Sequence, residues 1–325
     1  MTSEGETAII AESAAFEGTE RPVRAMDYES FLSHWVPPQE TLLAPWLPKK
    51  GLAMVHAARG VGKTHFAHGV AWAVATGTRF LRWEAGAGPA RVVLLDGEMP
   101  TELLQDRLRE VAGSAEQRPP APDFLRIAAA DLRQEGLPDL ADRYAQRYYD
   151  MVVRDADLVI VDNLSTLCRS LKENDADSWG PVQDWCLALR RQGKAVLLVH
   201  HNGKNNGQRG TSKKEDVLDS VISLRSPADY RPEDGARFEV HFTKHRRFSG
   251  PDAQAFEARL SAGVWLEAAV QHCLDDDALL RRKRQGASYR ELAEESGISK
   301  SALQRRLAEL DRRPANGPPG DFLSQ

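Results

Sequence analysis

From about residue 51 to about residue 266, short apolar runs alternate with amphipathic stretches. Continuous apolar runs suit strands buried on both faces. Stretches with apolar residues three and four apart suit the helices that cross over them. This pattern predicts strands over 52–57, 91–96, 124–129, 157–162 and 194–200, and helices over 64–76, 101–112, 137–155 and 178–192. Three later runs, 217–224, 237–244 and 255–260, follow too closely for helical crossovers, so that end of the sheet should be antiparallel. The expected fold class is α/β: a mostly parallel twisted sheet flanked by helices. No internal repeat is visible.

The ends of the chain read differently. Residues 1–28 are small, polar and rich in Glu, the composition of a disordered acidic tail. The main domain is expected over 29–268, entered through a strap from Tyr28 to Trp46 that mixes aromatics with Pro37, Pro38 and Pro45. Past Trp265 the composition changes, and residues 269–313 are expected to form a small all-α unit. Ser288 to Leu307 reads as a helix, a turn at Gly297 and a second helix. Ser288 can cap the first helix, Ala293 is small where the two would cross, and Ile298, Leu303 and Leu307 would pack inward, the helix-turn-helix pattern. Residues 314–325 are rich in Pro and Gly and read as a flexible tail.

Bulk properties narrow the picture only slightly. The 325 residues suit one large domain with an appendage, and 42% hydrophobic residues suffice for a core. A net charge of −4 carries no overall nucleic-acid signature, so any such signal must be local. Cys168, Cys186 and Cys273 are odd in number and lack metal-ligand spacing, as expected of reduced thiols. No apolar stretch approaches a membrane span and the start is not signal-like, so a soluble cytoplasmic protein without a membrane partner is expected.

The chemistry begins where the first strand meets the first helix. Ala57-Ala58-Arg59-Gly60-Val61-Gly62-Lys63-Thr64 is a phosphate-binding loop with Ala57 in place of its usual first glycine. Ala58 through Thr64, with His65 following, would surround the phosphates with backbone N–H groups at a positive helix end. Lys63 would reach the β and γ phosphates and the Thr64 hydroxyl would hold Mg²⁺, which makes ATP and Mg²⁺ the expected ligands.

Two further strand ends carry carboxylates to the same sheet edge. Asp162 closes the apolar run 157–162 and would contact Mg²⁺. The run 91–96 ends in Asp96-Gly97-Glu98, where Glu98 lies just beyond the strand and can activate water. Asp96 is its rival, or a cap for the turn before Thr101. The run 195–199 ends in His200-His201, where a polar side chain can sense the γ-phosphate. Adjacent histidines on a strand point to opposite faces, which argues against a metal pair.

Cations follow. The loop from Gly203 to Lys214 is basic and rich in Gly, with Lys204, Arg209, Lys213 and Lys214 able to grip a nucleic-acid backbone. Lys244-His245-Arg246-Arg247 clusters at the end of a late strand. It is either a solvated strand end or a source of an arginine for a neighbouring subunit's nucleotide.

In order and wording these motifs resemble the RecA-like ATPase core of the DnaB/RepA type of hexameric helicases, over about residues 45–265. Gly97-Glu98-Met99-Pro100 with Leu103, Leu104 and Arg107 is similar to that family's second-strand motif, which implies that Glu98 is the catalytic base. Val199-His200-His201-Asn202 is similar to its sensor strand and implies His200 as the sensor. Lys244-His245-Arg246 resembles its Lys-x-Arg motif, which implies Arg246 as an arginine finger acting in trans with Lys244 beside it. Arg209-Gly210-Thr211-Ser212, with Asp216 and Asp219, resembles the segment closing its DNA-facing loop. The short form with two histidines is closer to plasmid RepA-like proteins than to chromosomal DnaB.

The resemblance implies a homo-oligomeric ring, expected to be hexameric, that hydrolyses ATP at subunit interfaces and moves on single-stranded DNA. In the C-terminal unit Ser299, Lys300, Gln304 and Arg305 would face a major groove, with Arg281 to Arg284 upstream to grip phosphate, so duplex DNA is a further expected partner. The rival reading is an ATP-switched DNA-binding regulator, or a recombination or defence ATPase, that does not unwind.

Overall fold

A computed structural model of the protein describes residues 25–171, 178–201, 215–227, 229–270, 276–296 and 300–312. The chain divides into a unit ending at Gln39 and a unit starting at Glu40. In the first, helix α1 (Tyr28–Ser33) is capped by Asp27, whose carboxylate accepts from the Ser30 amide at 2.8 Å. Its apolar residues Tyr28, Phe31 and Leu32 are exposed.

The second unit contains β1 (Thr41–Leu43), β2 (Leu47–Pro48), β3 (Leu52–Ala57), α2 (Lys63–Thr76), β4 (Arg79–Phe80), β5 (Trp83–Glu84), β6 (Val92–Asp96) and α3 (Thr101–Ser114). It continues with β7 (Leu125–Ala129), α4 (Gln146–Val152), β8 (Leu158–Asp162), α5 (Leu164–Leu167), α6 (Gly180–Arg191), β9 (Ala195–His201) and β10 (Ser220–Arg225). Last come β11 (Arg237–His245), β12 (Phe256–Ser261), β13 (Val264–Ala269), α7 (Asp276–Arg284), α8 (Tyr289–Ser296) and α9 (Lys300–Arg312).

Nine strands form one sheet in the order β13-β12-β11-β10-β3-β9-β8-β6-β7. From β10 to β7 every neighbouring pair is parallel, and from β10 to β13 every pair is antiparallel. The α/β class and the change to antiparallel pairing are therefore as the sequence pattern predicts. β13 is an addition, a hairpin return on β12 whose Val264 and Leu266 stay exposed. β3 lies between β9 and β10, the last parallel strands in chain order, and in sheets of this kind ligands bind at the carboxyl ends of the strands.

The two faces of the sheet carry separate cores. One packs α2 with Leu42, Leu43, Trp46 and a group of aromatic rings against alternate residues such as Val55, Leu94 and Ile160. Trp46 and Trp83 lie 5.3 Å apart between ring centres, and Phe66 and Phe80 also lie 5.3 Å apart. Gly69 of α2 is required there, because a Cβ would stand 2.1 Å from the Phe80 ring. The other core packs α4, α5 and α6 against Met54, Leu95, Val159 and Leu198. Burial on both faces explains why β3, β6 and β8 read as largely apolar runs.

One predicted helix is much shorter than its pattern. The expected 137–155 reduces to α4 over Gln146–Val152. Upstream, Asp139 accepts from the Ala141 amide at 3.0 Å and Asp142 from the Tyr144 amide at 2.9 Å. Short polar side chains have taken the backbone donors that a helix would use.

Toward the end of the chain, α7, α8 and α9 pack around Leu279, Ala287, Leu292, Leu303 and Leu307. Ser288 and Glu291 form a reciprocal cap, with the Ser288 amide donating to Glu291 at 2.8 Å and the Glu291 amide to Ser288 Oγ at 3.2 Å. Gly297 and Ile298 lie outside the described residues. No helix among the described residues is long and apolar enough to cross a membrane.

Candidate active site

The phosphate-binding loop joins β3 to α2 at the carboxyl edge of the sheet. Ala57 is the last strand residue, fully buried in the aromatic core. The glycine expected of the motif is therefore not needed there. Gly62 is different, with φ +114° and a Cβ position 3.0 Å from the Phe238 ring, so only glycine fits without strain. The Lys63 ammonium donates to the carbonyls of Ala57 at 3.1 Å and Ala58 at 2.7 Å. Burial pushes its pKa down to about 8, against the pull of Asp162 and Glu98. An incoming phosphate would offset that desolvation. Arg59 is exposed on the same loop, Val61 is buried in the aromatic core, and Gly60 is open to solvent.

Asp96 and Asp162 are Cα partners on adjacent strands, 1% and 4% exposed. Asp96 Oδ1 accepts the Glu98 amide at 3.1 Å and the Met99 amide at 2.8 Å. Of the two roles open to it, Asp96 takes the turn cap, and Glu98 is left half-exposed at the rim. Burial, then the Asp96 charge, pushes Asp162 up to about 7, and a hydrogen bond with Thr64 opposes this. Burial also raises Asp96, against its two amide bonds. The Oδ2 atoms of both carboxylates are buried without a hydrogen-bond partner.

Buried acceptors left without donors are costly. A divalent cation beside Thr64 and Asp162 would satisfy the Asp162 oxygen, so these residues fit Mg²⁺. Among the described residues no group of three His, Cys, Asp or Glu side chains holds a metal alone.

The two adjacent histidines meet different surroundings. His201 Nε2, not His200, lies 3.3 Å from Glu98 Oε2 and 3.0 Å from Asn163 Nδ2. Along β9, Ala195, Leu197 and Val199 face the α2 side, while Val196 and Leu198 face the other. Alternation therefore turns His201 to the site and His200 away from it. Burial and the nearby Lys63 hold His201 below the usual imidazole range.

Asn163 is the residue that pattern reading missed. It is 1% exposed and follows Asp162 through a cis peptide bond. Its Oδ1 caps α5, accepting the Ser165 amide at 2.9 Å and the Thr166 amide at 3.3 Å, and its Nδ2 donates to Glu98 Oε2. The sequence signal was the cap itself, an Asn ahead of Leu-Ser-Thr.

His65 and His68 stand one turn apart on α2 and feel the Arg107 guanidinium of α3. Arg107 donates to the Met99 sulfur at 3.4 Å. Burial lowers His65 to about 4 and His68 to about 3.

The late cation cluster is not near this loop. Strand register sets Ser220 opposite both Ala53 of β3 and His245 of β11, and Val221 opposite Met54 and Lys244. The phosphate loop leaves β3 after Ala57, so Lys244 and Arg246 sit toward the other end of these strands, about 10 Å and about 16 Å back along them at about 3.3 Å per residue. There Lys244 donates to the Glu215 carbonyl and Arg246, exposed, to the Asp216 carbonyl at 2.5 Å. Asp219 is buried beneath them, accepting the Leu52 amide at 3.0 Å and an Arg190 hydrogen bond. Lys204, Arg209, Lys213, Lys214 and Ser299 lie outside the described residues. Lys300, Gln304 and Arg305 are exposed on α9.

Comparison with known proteins adds the family. A family model described as an AAA domain matches residues 19–207, more than half of the chain. No curated protein matches. Among solved structures, a KaiC-like protein from the hyperthermophilic archaeon Pyrococcus horikoshii OT3 is similar at 16% identity and a TM-score of 0.47, over 70% of this chain and 93% of that one. With a phosphate-binding loop, an acidic strand end beside it and a family model across both, the chain belongs to the AAA-domain family and is a P-loop ATPase.

Proposed function

We propose that the protein is an ATP-driven DNA translocase, a helicase of the RepA-like type, that hydrolyses ATP where subunits of a ring meet. In this reading Ala58 to His65 cradle the triphosphate, with Lys63 on its β and γ phosphates. Thr64 and Asp162 hold Mg²⁺, and Glu98 activates water. The sequence resemblance implies His200 as the γ-phosphate sensor, and the contact of His201 with Glu98 favours His201 for that role. Arg246 and Lys244 of one subunit complete the site of the next.

The observation that carries this is the placement of Lys244 and Arg246 at the sheet edge opposite their own phosphate loop. A side chain there cannot reach its own nucleotide, but a second copy stacked head to tail brings the two edges together. The segment bearing Lys204, Arg209, Lys213 and Lys214 follows His201 in the sequence, and His201 contacts Glu98, so a change at the nucleotide would be passed to the segment proposed to grip single-stranded DNA. A role in replicating a mobile element goes with the RepA-like resemblance.

Strand displacement tests it. Ring-forming protein should separate a forked duplex in the presence of MgATP. Hydrolysis with no separation at any fork polarity removes the helicase reading. One observation favours the regulator as a second reading: the self-capped α7–α9 bundle exposes Lys300, Gln304 and Arg305 on one helix, as a duplex-reading unit would.

A further inference from the structure

Glu98 sits past the end of β6 on a turn, with its side chain 54% exposed, so packing alone holds it only loosely. A general base must stay within hydrogen-bond reach of the water it activates, and a misplacement of about 1 Å can cost about 100-fold. Something must therefore aim this carboxylate. Among the described residues, Asn163 and His201 are the side chains that hydrogen-bond to it.

Asn163 is oriented without ambiguity. Its Oδ1 accepts two backbone amides of α5, so Nδ2 is the end that faces the site. An amide nitrogen has two hydrogens. One goes to Glu98 Oε2 and the other lies toward His201 Nε2 at 3.0 Å. Burial makes the amide rigid, and the capped turn that follows Asp162 sets its position. The side chain next to the proposed metal ligand thus also fixes the proposed base.

We propose that Asn163 is the positioning residue for hydrolysis, a clip whose amide aims the Glu98 carboxylate and ties it to His201. The inference rests on Glu98 being the base. It assigns Asn163 two separable tasks: the oxygen caps α5 and the nitrogen holds Glu98.

Asn163→Asp separates them, because a carboxylate caps as well as an amide but cannot donate. Asn163→Ser also keeps a capping oxygen and is too short to clip Glu98, so it serves if the charged variant fails to fold. In the full chain, either variant should lower kcat about 30-fold or more. Its Kd for a non-hydrolysable ATP analogue with Mg²⁺ should stay within about threefold of the parent. Combined with Glu98→Gln, it should slow hydrolysis no further than Glu98→Gln alone, since the two act as a unit.

A kcat within about twofold of the parent in folded Asn163→Asp or Asn163→Ser, or multiplicative losses in the double variant, overturns the clip. So does a loss of affinity that matches the loss of rate, which would place the effect at the metal. Full activity in Glu98→Gln instead removes the base assignment itself, a different result from an inert Glu98→Gln beside an active Asn163→Asp.

Discussion

Asp96 and Asp162 face each other across two adjacent strands, each with one buried carboxylate oxygen that has no partner. Such a pair stores repulsion that a cation can release. Because Asp162 is pushed up to about 7, the folded protein binds a proton there that the unfolded chain loses near pH 4. Stability from this group is therefore present at low pH and lost as pH rises toward 7. Asp162→Asn should stabilise the nucleotide-free protein at pH 8, by at most about 4 kcal/mol, with the gain shrinking below pH 7. Denaturant unfolding at both pH values checks it, and an equal or larger gain at pH 5 would contradict the sign.

The same carboxylate should release a proton when Mg²⁺ and nucleotide bind between about pH 6 and pH 7. Calorimetric titration in buffers of different ionisation enthalpy measures this directly. The release should vanish in Asp162→Asn.

Glu98→Gln keeps the size and polarity of a residue at the rim and removes only its basicity. Turnover should fall by about 100-fold or more while ATP binding is retained. Loss of binding would assign Glu98 to the nucleotide or its metal rather than to water.

Arg246→Ala should act on a neighbour. Mixing it with parent subunits should reduce hydrolysis more than simple dilution, because each altered subunit disables the site beside it. A linear loss with the fraction of altered protein would place the arginine outside the shared site.

His68 is fully buried with both ring nitrogens lacking partners, and its pKa is pushed down to about 3. The unfolded chain takes up a proton near pH 6.5 that the folded one refuses, so stability is lost as pH falls below that value. His68→Leu should widen its stability advantage from pH 7 to pH 5, by about 2 kcal/mol at pH 5. Thermal melts across that range would read it, and a constant gap would show that His68 does not titrate on unfolding.

Much of this architecture could be read in advance. Strands buried on both faces announce themselves as largely apolar runs, and β3, β6, β8 and β9 lie within a residue of their expected ends. The phosphate loop is legible because its chemistry is local: small residues, Lys63 and Thr64 act within a few residues of one another. The placement of Glu98 and Asp162 at one edge was legible for a related reason, since polar residues that end apolar strands collect at one edge of a parallel sheet.

Contacts between distant residues were not legible in that way. Whether His200 or His201 meets Glu98 depends on the strand's facing, which a pair of identical residues does not reveal. Asn163 looks like an ordinary cap until β8 and β6 stand side by side and bring its nitrogen to Glu98. The separation of Arg246 from its own phosphate loop follows from the antiparallel return of β11, a matter of register rather than composition. Periodicity along a chain encodes which face is buried, while pairing between strands settles which side chains share a site.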